Sequence, residues 1–102
     1  MSACTYCFRF SRFYLKRLIG WADELDLKVM MDLHGAPGSQ NGFDNSGRRG
    51  EVNWVDPTHA NIDRTLDVLA QLAFLMRIWM DEGAMREETL YGIELLNEPN
   101  GY

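Results

Sequence analysis

The chain has 102 residues, of which 46% are hydrophobic and 25% charged, a balance that suits one small globular segment and excludes a disordered one. Its formal charge of −5 leaves no basic stripe for phosphate, so nucleic acid is excluded as a partner and neutral or weakly charged ligands fit better. There is no run of about 18 apolar residues, and the opening Met1-Ser-Ala-Cys-Thr-Tyr-Cys-Phe-Arg lacks the basic-then-apolar layout of a secretory signal, so neither a membrane partner nor an export signal is expected.

The first pattern in chain order is Cys4 and Cys7, spaced C-x-x-C, which can be half of a zinc site or a redox pair. No second pair follows, His34 and His59 lie in separate segments, and no strand leads into Cys4. Two incidental thiols are the simpler reading, and neither a metal nor a cofactor is expected.

From about Ser11 to Asp26, Leu15, Leu18, Ala22 and Leu25 recur at helical spacing, with Phe13, Tyr14, Ile19 and Trp21 widening the stripe. Lys28-Val-Met-Met-Asp-Leu-His34 is a short apolar run ending at Gly35, and it reads as a strand buried on both faces, as in a parallel sheet. From Gly35 to about Val55 there are five glycines, one proline and three asparagines without apolar periodicity. This stretch predicts a loop far longer than the usual connection of about 2–6 residues, and such loops are often functional.

Asp56-Pro57 then offers an N-cap and an N1 proline. Ile62, Leu66, Leu69, Ala73, Met76 and Met80 predict a helix ending near Gly83, with Trp21 and Trp79 at core positions and the role of Trp54 open. Leu90-Tyr-Gly-Ile-Glu-Leu-Leu96 is a second strand-like run, broken by Asn97-Glu98-Pro99-Asn-Gly101. The order helix, strand, loop, helix, strand is an α/β pattern containing one βαβ unit. Two strands cannot close a sheet with helices on its faces, so the chain reads as an excerpt.

The informative polar groups sit where each strand ends, the end at which parallel α/β folds place their sites. Strand alternation puts Met30, Asp32 and His34 on one face and Glu94, Leu96 and Glu98 on another, so these polar residues can line one cavity. Asp32 and Glu94 read as buried structural carboxylates that need partners. A phosphate-loop reading of Gly35-Ala-Pro-Gly-Ser-Gln-Asn-Gly42 fails, because no Lys-Ser or Lys-Thr follows and no helix begins there.

Asp32-Leu-His-Gly-Ala-Pro-Gly-Ser-Gln-Asn-Gly-Phe-Asp-Asn-Ser-Gly47, followed by Tyr91-Gly-Ile-Glu-Leu-Leu-Asn-Glu-Pro99, resembles the exo-β-1,3-glucanase branch of glycoside hydrolase family 5. The likeness runs from about Tyr14 to Tyr102. It implies that residues 14–102 are part of a catalytic domain, a fragment of a TIM (β/α)8 barrel of about two βα units, similar to strands 3 and 4. Residues 1–13 do not resemble the family and are expected to be an unrelated or poorly ordered segment.

By the same resemblance Glu98 falls in the place of the general acid/base of a retaining mechanism, and Asn97 in that of the donor to the sugar 2-hydroxyl. His34 is similar to the strand-end histidine that lines the sugar site. Phe43 resembles an aromatic at the substrate entrance, with Asp44 and Asn45 in reach of hydroxyls. The partner implied is a β-glucan or an oligosaccharide from it. The nucleophile of such an enzyme sits on a later strand, and a barrel takes about 250 residues, so a truncated product, a gene-model fragment or a decayed copy is expected, inactive alone. A full-length member of that family is expected outside the cell or in the cell wall. A glucan-binding remnant without catalysis and a small C-x-x-C redox or metal-binding protein are the alternatives.

Overall fold

A computed structural model describes residues 5–100, with side chains described from residue 11 onward. The elements are α1 (Thr5–Glu24), β1 (Val29–Asp32), a single 3-10 turn (Asp44–Ser46), α2 (Ala60–Asp81) and β2 (Leu90–Glu94), in the order the sequence predicts. β1 and β2 form a two-stranded sheet. Val29 N donates to Thr89 O (2.7 Å) and Leu33 N to Glu94 O (3.2 Å). These bonds advance along both strands in the same direction, so the pair is parallel and α2 lies within the crossover. The described residues divide into two compact units, one from residues up to Met30 with Met76–Gly92, the other from Met31–Leu75 with Ile93 onward.

In the first unit the buried residues are Ile19, Ala22, Met76, Trp79, Met85, Thr89 and Leu90. α1 starts at Thr5 rather than near Ser11. Its covered face runs through half-buried Leu15, Ile19 and Ala22, and not through Leu18 and Leu25, which are 53% and 70% exposed. Apolar residues surround this helix on several sides, so hydropathy alone does not single out the covered face. Trp21 is likewise 50% exposed, not core; the Arg17 guanidinium lies 5.0 Å from its ring centre. Trp79 is buried as expected.

Both helices end in the same cap. Leu27 N bonds Ala22 O (2.8 Å) and Asp26 N bonds Asp23 O (3.1 Å), with Asp26 at φ 56; Ala84 N bonds Trp79 O (3.0 Å) and Gly83 N bonds Met80 O (2.9 Å), with Gly83 at φ 69. These are Schellman motifs, and glycine is the residue that fits the left-handed position without strain. Aspartate at position 26 is instead held by Arg86, whose Nη2 reaches its carboxylate at 3.0 Å.

Arg86 and Thr89 converge on Asp23. The Asp23 Oδ1 atom accepts from Arg86 N (3.0 Å), Arg86 Nε (2.9 Å) and the Thr89 hydroxyl (2.5 Å). The Thr89 hydroxyl, then the Arg86 amide and guanidinium, hold the carboxyl well below its ordinary 3.8, at about 2. A carboxyl whose folded value is depressed stabilises the fold fully above 3.8, and that contribution disappears as pH falls through about 2. Asp23→Asn is therefore expected to flatten the dependence of stability on pH across that interval. Thermal unfolding followed by circular dichroism at several pH values checks this; equal slopes in the two proteins would contradict it.

In the second unit the long loop is ordered by its own polar groups. Ser39, Gln40, Asn41 and Ser46 are all buried. The loop folds back through Gly50 N to Gly42 O (2.9 Å), Asn53 N to Gly38 O (2.8 Å) and Trp54 N to Ser39 O (3.1 Å). A side chain at Gly38 or Gly42 would place its Cβ 2.5 Å from the Asn53 or Gly50 carbonyl oxygen, and both residues have positive φ, so only glycine serves there. Trp54, left open by the sequence, gives its indole N–H to Thr65 on α2 (3.0 Å).

α2 begins at Ala60, not at the expected Asp56-Pro57. His59 stands at φ 60, which a helix starting at Pro57 cannot contain. Asp56 still caps, but from further away: its carboxylate accepts from Thr58 N (2.8 Å), the Thr58 hydroxyl and Asn61 N (2.9 Å). Those bonds, the Thr58 hydroxyl first, lower its pKa to about 2. In this unit α2 covers Thr65 and Leu75 and half-buries Ile62, Leu69 and Leu72, while the predicted core positions Leu66 and Ala73 are exposed. Thr65, which accepts from Trp54, lies on the covered face in place of Leu66.

β1 also departs from expectation. Its residues alternate between half-buried and exposed, and Met30 is 48% exposed. A sheet of two strands offers only one edge of pairing and little to lay over its faces.

Candidate active site

The second unit carries the site, built on the ends of the two strands. Asn97 N donates to Leu33 O (3.0 Å), so Asn97 lies just past the end of β2 beside the end of β1. Asp32 and His34 project on the same side, as alternation requires, and meet directly: His34 Nδ1 lies 2.6 Å from Asp32 Oδ2. An ionised carboxylate only accepts, so Nδ1 carries the proton and the imidazole is fixed in orientation. Asp32 is exposed rather than buried, and its partner is within this chain, two residues on; Glu94 is half-buried rather than buried. The two-stranded sheet covers neither carboxylate, so neither has to meet the cost of full burial.

The loop after β1 closes over both strand ends through two amides. Gln40 (1% exposed) donates from Nε2 to His34 O (3.0 Å) and to Asn97 O (2.9 Å), and accepts at Oε1 from Ala36 N (3.0 Å). Asn41 (3% exposed) donates from Nδ2 to Glu98 O (3.1 Å) and Asn45 Oδ1 (3.4 Å), and accepts at Oδ1 from Phe43 N (2.9 Å). Sequence reasoning gave neither residue a role. Polar side chains in a glycine-rich loop give no periodic signal, and their partners sit 57 positions away.

Of the residues singled out from the sequence, Glu98 and Asn45 touch: Asn45 Nδ2 lies 3.2 Å from Glu98 Oε2. His34 and Asn97 are joined through their carbonyls by Gln40. Phe43 and Asp44 lie on the same loop and are exposed, and neither the ring nor the Asp44 carboxylate enters these bonds. Glu98 does not share a face with Glu94 and Leu96 as strand alternation implies, because β2 ends at Glu94 and Glu98 is at φ 42.

The Nδ2 atom of Asn97 is buried and has no hydrogen-bond partner among the described residues. Leaving such a donor unpaired costs about 1–3 kcal/mol, so this position favours an acceptor from outside the described residues, such as a water or a ligand hydroxyl. Among the described residues, no three His, Cys, Asp or Glu side chains converge as a metal site, and no helix is long and apolar enough to cross a membrane. Cys4 lies outside the described residues, as does the side chain of Cys7.

No family model matches the chain. Curated proteins do. It is 48% identical to the glucan 1,3-beta-glucosidase of Pichia angusta over 86% of this chain and 19% of that protein. It is 48% identical to the glucan 1,3-beta-glucosidase of Blumeria graminis over 84% of this chain and 18% of that protein. It is 40% identical to glucan 1,3-beta-glucosidase 1 of Schizosaccharomyces pombe, over 88% and 20%. The chain thus spans about a fifth of the length of these homologues.

Proposed function

We propose that residues 14–102 are the part of a β-1,3-glucan-hydrolysing catalytic domain that carries its general acid/base, on two βα units of a (β/α)8 barrel of glycoside hydrolase family 5. The observation that carries this reading is the buried, unpartnered Nδ2 of Asn97, next in sequence to a glutamate whose carboxylate the Asn45 amide of the loop after β1 reaches. The names of the homologues supply the substrate class.

In this reading Glu98 protonates the glycosidic oxygen as the bond to C1 breaks, while a carboxylate from elsewhere in the full-length protein attacks C1. Water then attacks the glycosyl-enzyme as Glu98 takes its proton, and the configuration is retained. Asn97 donates from Nδ2 to the sugar 2-hydroxyl, a bond that strengthens as positive charge develops at C1. His34, held by Asp32, lines the sugar site, while Phe43 and Asp44 lie at the entrance.

The role of Asn97 is tested by replacing the matching segment of the Pichia angusta relative with residues 14–102 and substituting Asn97→Ala. Loss of one such donor costs on the order of 100-fold in turnover. That loss is expected for an aryl β-glucoside and largely absent for its 2-deoxy analogue, which has no hydroxyl to receive the bond. Equal losses on both substrates would remove Asn97 from the 2-hydroxyl.

A further inference from the structure

We infer that the neighbouring buried amides of Gln40 and Asn41 are the positioning residues for Glu98, clamping the turn that carries it and, through Asn45, its carboxylate. The inference rests on the reading of Glu98 as the acid/base.

Glu98 has φ 42, a left-handed conformation in which the Cβ of a non-glycine residue crowds the backbone. Pro99 makes this worse, since the residue before a proline is restricted to extended backbone. The local sequence therefore opposes the conformation, and something distant in sequence must impose it. Four bonds between Gln40-Asn41 and the turn 97–100 do so. Gln40 Nε2 donates to Asn97 O (2.9 Å) and Asn41 Nδ2 to Glu98 O (3.1 Å). In return Asn100 N donates to Gln40 O (3.0 Å) and Asn100 Nδ2 to Asn41 O (3.4 Å). The clamp is reciprocal and brackets Glu98 on both sides.

The chemistry of the two side chains is specific. Each amide nitrogen has two hydrogens and both are used, on carbonyl oxygens for Gln40 and on Glu98 O and Asn45 Oδ1 for Asn41. Each amide oxygen accepts one backbone N–H. Only an amide can give two donors and an acceptor in that plane. The isosteric carboxylates would turn both donor positions into acceptors and set them against carbonyl oxygens. Asn41 also orients Asn45 by donating from Nδ2 to its Oδ1 (3.4 Å), which leaves the Asn45 Nδ2 hydrogens for Glu98 Oε2 at 3.2 Å. One buried side chain thus sets both the backbone and the carboxylate of Glu98.

The clamp is tested in the full 102-residue chain with Asn41→Asp and Gln40→Glu. Hydrogen exchange at the Asn100 amide is expected to accelerate at least about 10-fold in both, while amides of the buried Trp79 stretch keep their protection. The catalytic consequence is tested by carrying Asn41→Asp, and the milder Asn41→Ser, in the Pichia angusta graft. Misplacing a proton donor by about 1 Å costs on the order of 100-fold. That loss is expected in kcat for laminaribiose, with KM little changed, and the step that releases dinitrophenol from an activated glucoside should change less than about 3-fold. Unchanged Asn100 exchange, or equal losses on the two substrates, overturns the inference. Glu98→Gln in the same graft separates the two readings: if it shows leaving-group dependence and the Asn41 variants do not, only the clamp fails. If Glu98→Gln shows none, the acid/base reading fails and the clamp loses its catalytic meaning.

Discussion

Glu98→Gln, in the Pichia angusta relative carrying residues 14–102, is expected to lower kcat/KM for laminarin by about 100- to 10,000-fold, the usual contribution of a positioned general acid/base. The loss should depend on the leaving group. A glucan hydroxyl departs poorly as an alkoxide, so the missing proton is felt in full at the first step. A dinitrophenolate needs no proton to leave, so the glycosyl-enzyme still forms and accumulates, and the deficit moves to the second step, where water has lost its base. A burst of dinitrophenol followed by slow turnover is the kinetic signature. Proportional losses on every substrate would mean that Glu98 serves folding rather than proton transfer.

The polypeptide of these 102 residues, purified alone, is expected to release no glucose from laminarin. A retaining glycosidase requires a second carboxylate about 5–5.5 Å from the first. On the proposed reading that nucleophile belongs to another part of the full-length protein. A single carboxylate can protonate a leaving group but cannot hold the glycosyl cation that results. Glucose release by rigorously purified chain, abolished by Glu98→Gln, would contradict this.

The order of elements was legible because two apolar runs and two helical repeats leave little choice, and the Gly83 stop was legible because glycine fits its cap. What escaped depends on partners far along the chain. Nothing near Leu18 and Ile19 tells which of two adjacent apolar residues faces inward, and Ile19 is the one fully buried. The start of α2 moved from Pro57 to Ala60 because His59 takes a left-handed backbone that no propensity announces. The meeting of Asp32 with His34 follows from alternation and was readable as a shared face. Gln40 and Asn41 were not, since a loop without periodicity hides which of its polar residues turn inward, and Glu98 left the strand pattern because that pair holds it away from extended geometry.

The most direct test of the acid/base reading uses azide with a Glu98→Ala graft, whose short side chain leaves room for the anion, and an activated aryl β-glucoside. Azide needs no general base, so it should attack the accumulated glycosyl-enzyme and restore turnover, giving β-glucosyl azide with the anomeric configuration retained. Were Glu98 the nucleophile, its removal would leave a cavity from which azide attacks the substrate directly and yields the α-azide. Proton NMR of the product reads the difference from the coupling at C1: the β-azide with restored turnover is the expected result, and the α-azide, or no response to azide at all, would contradict the account.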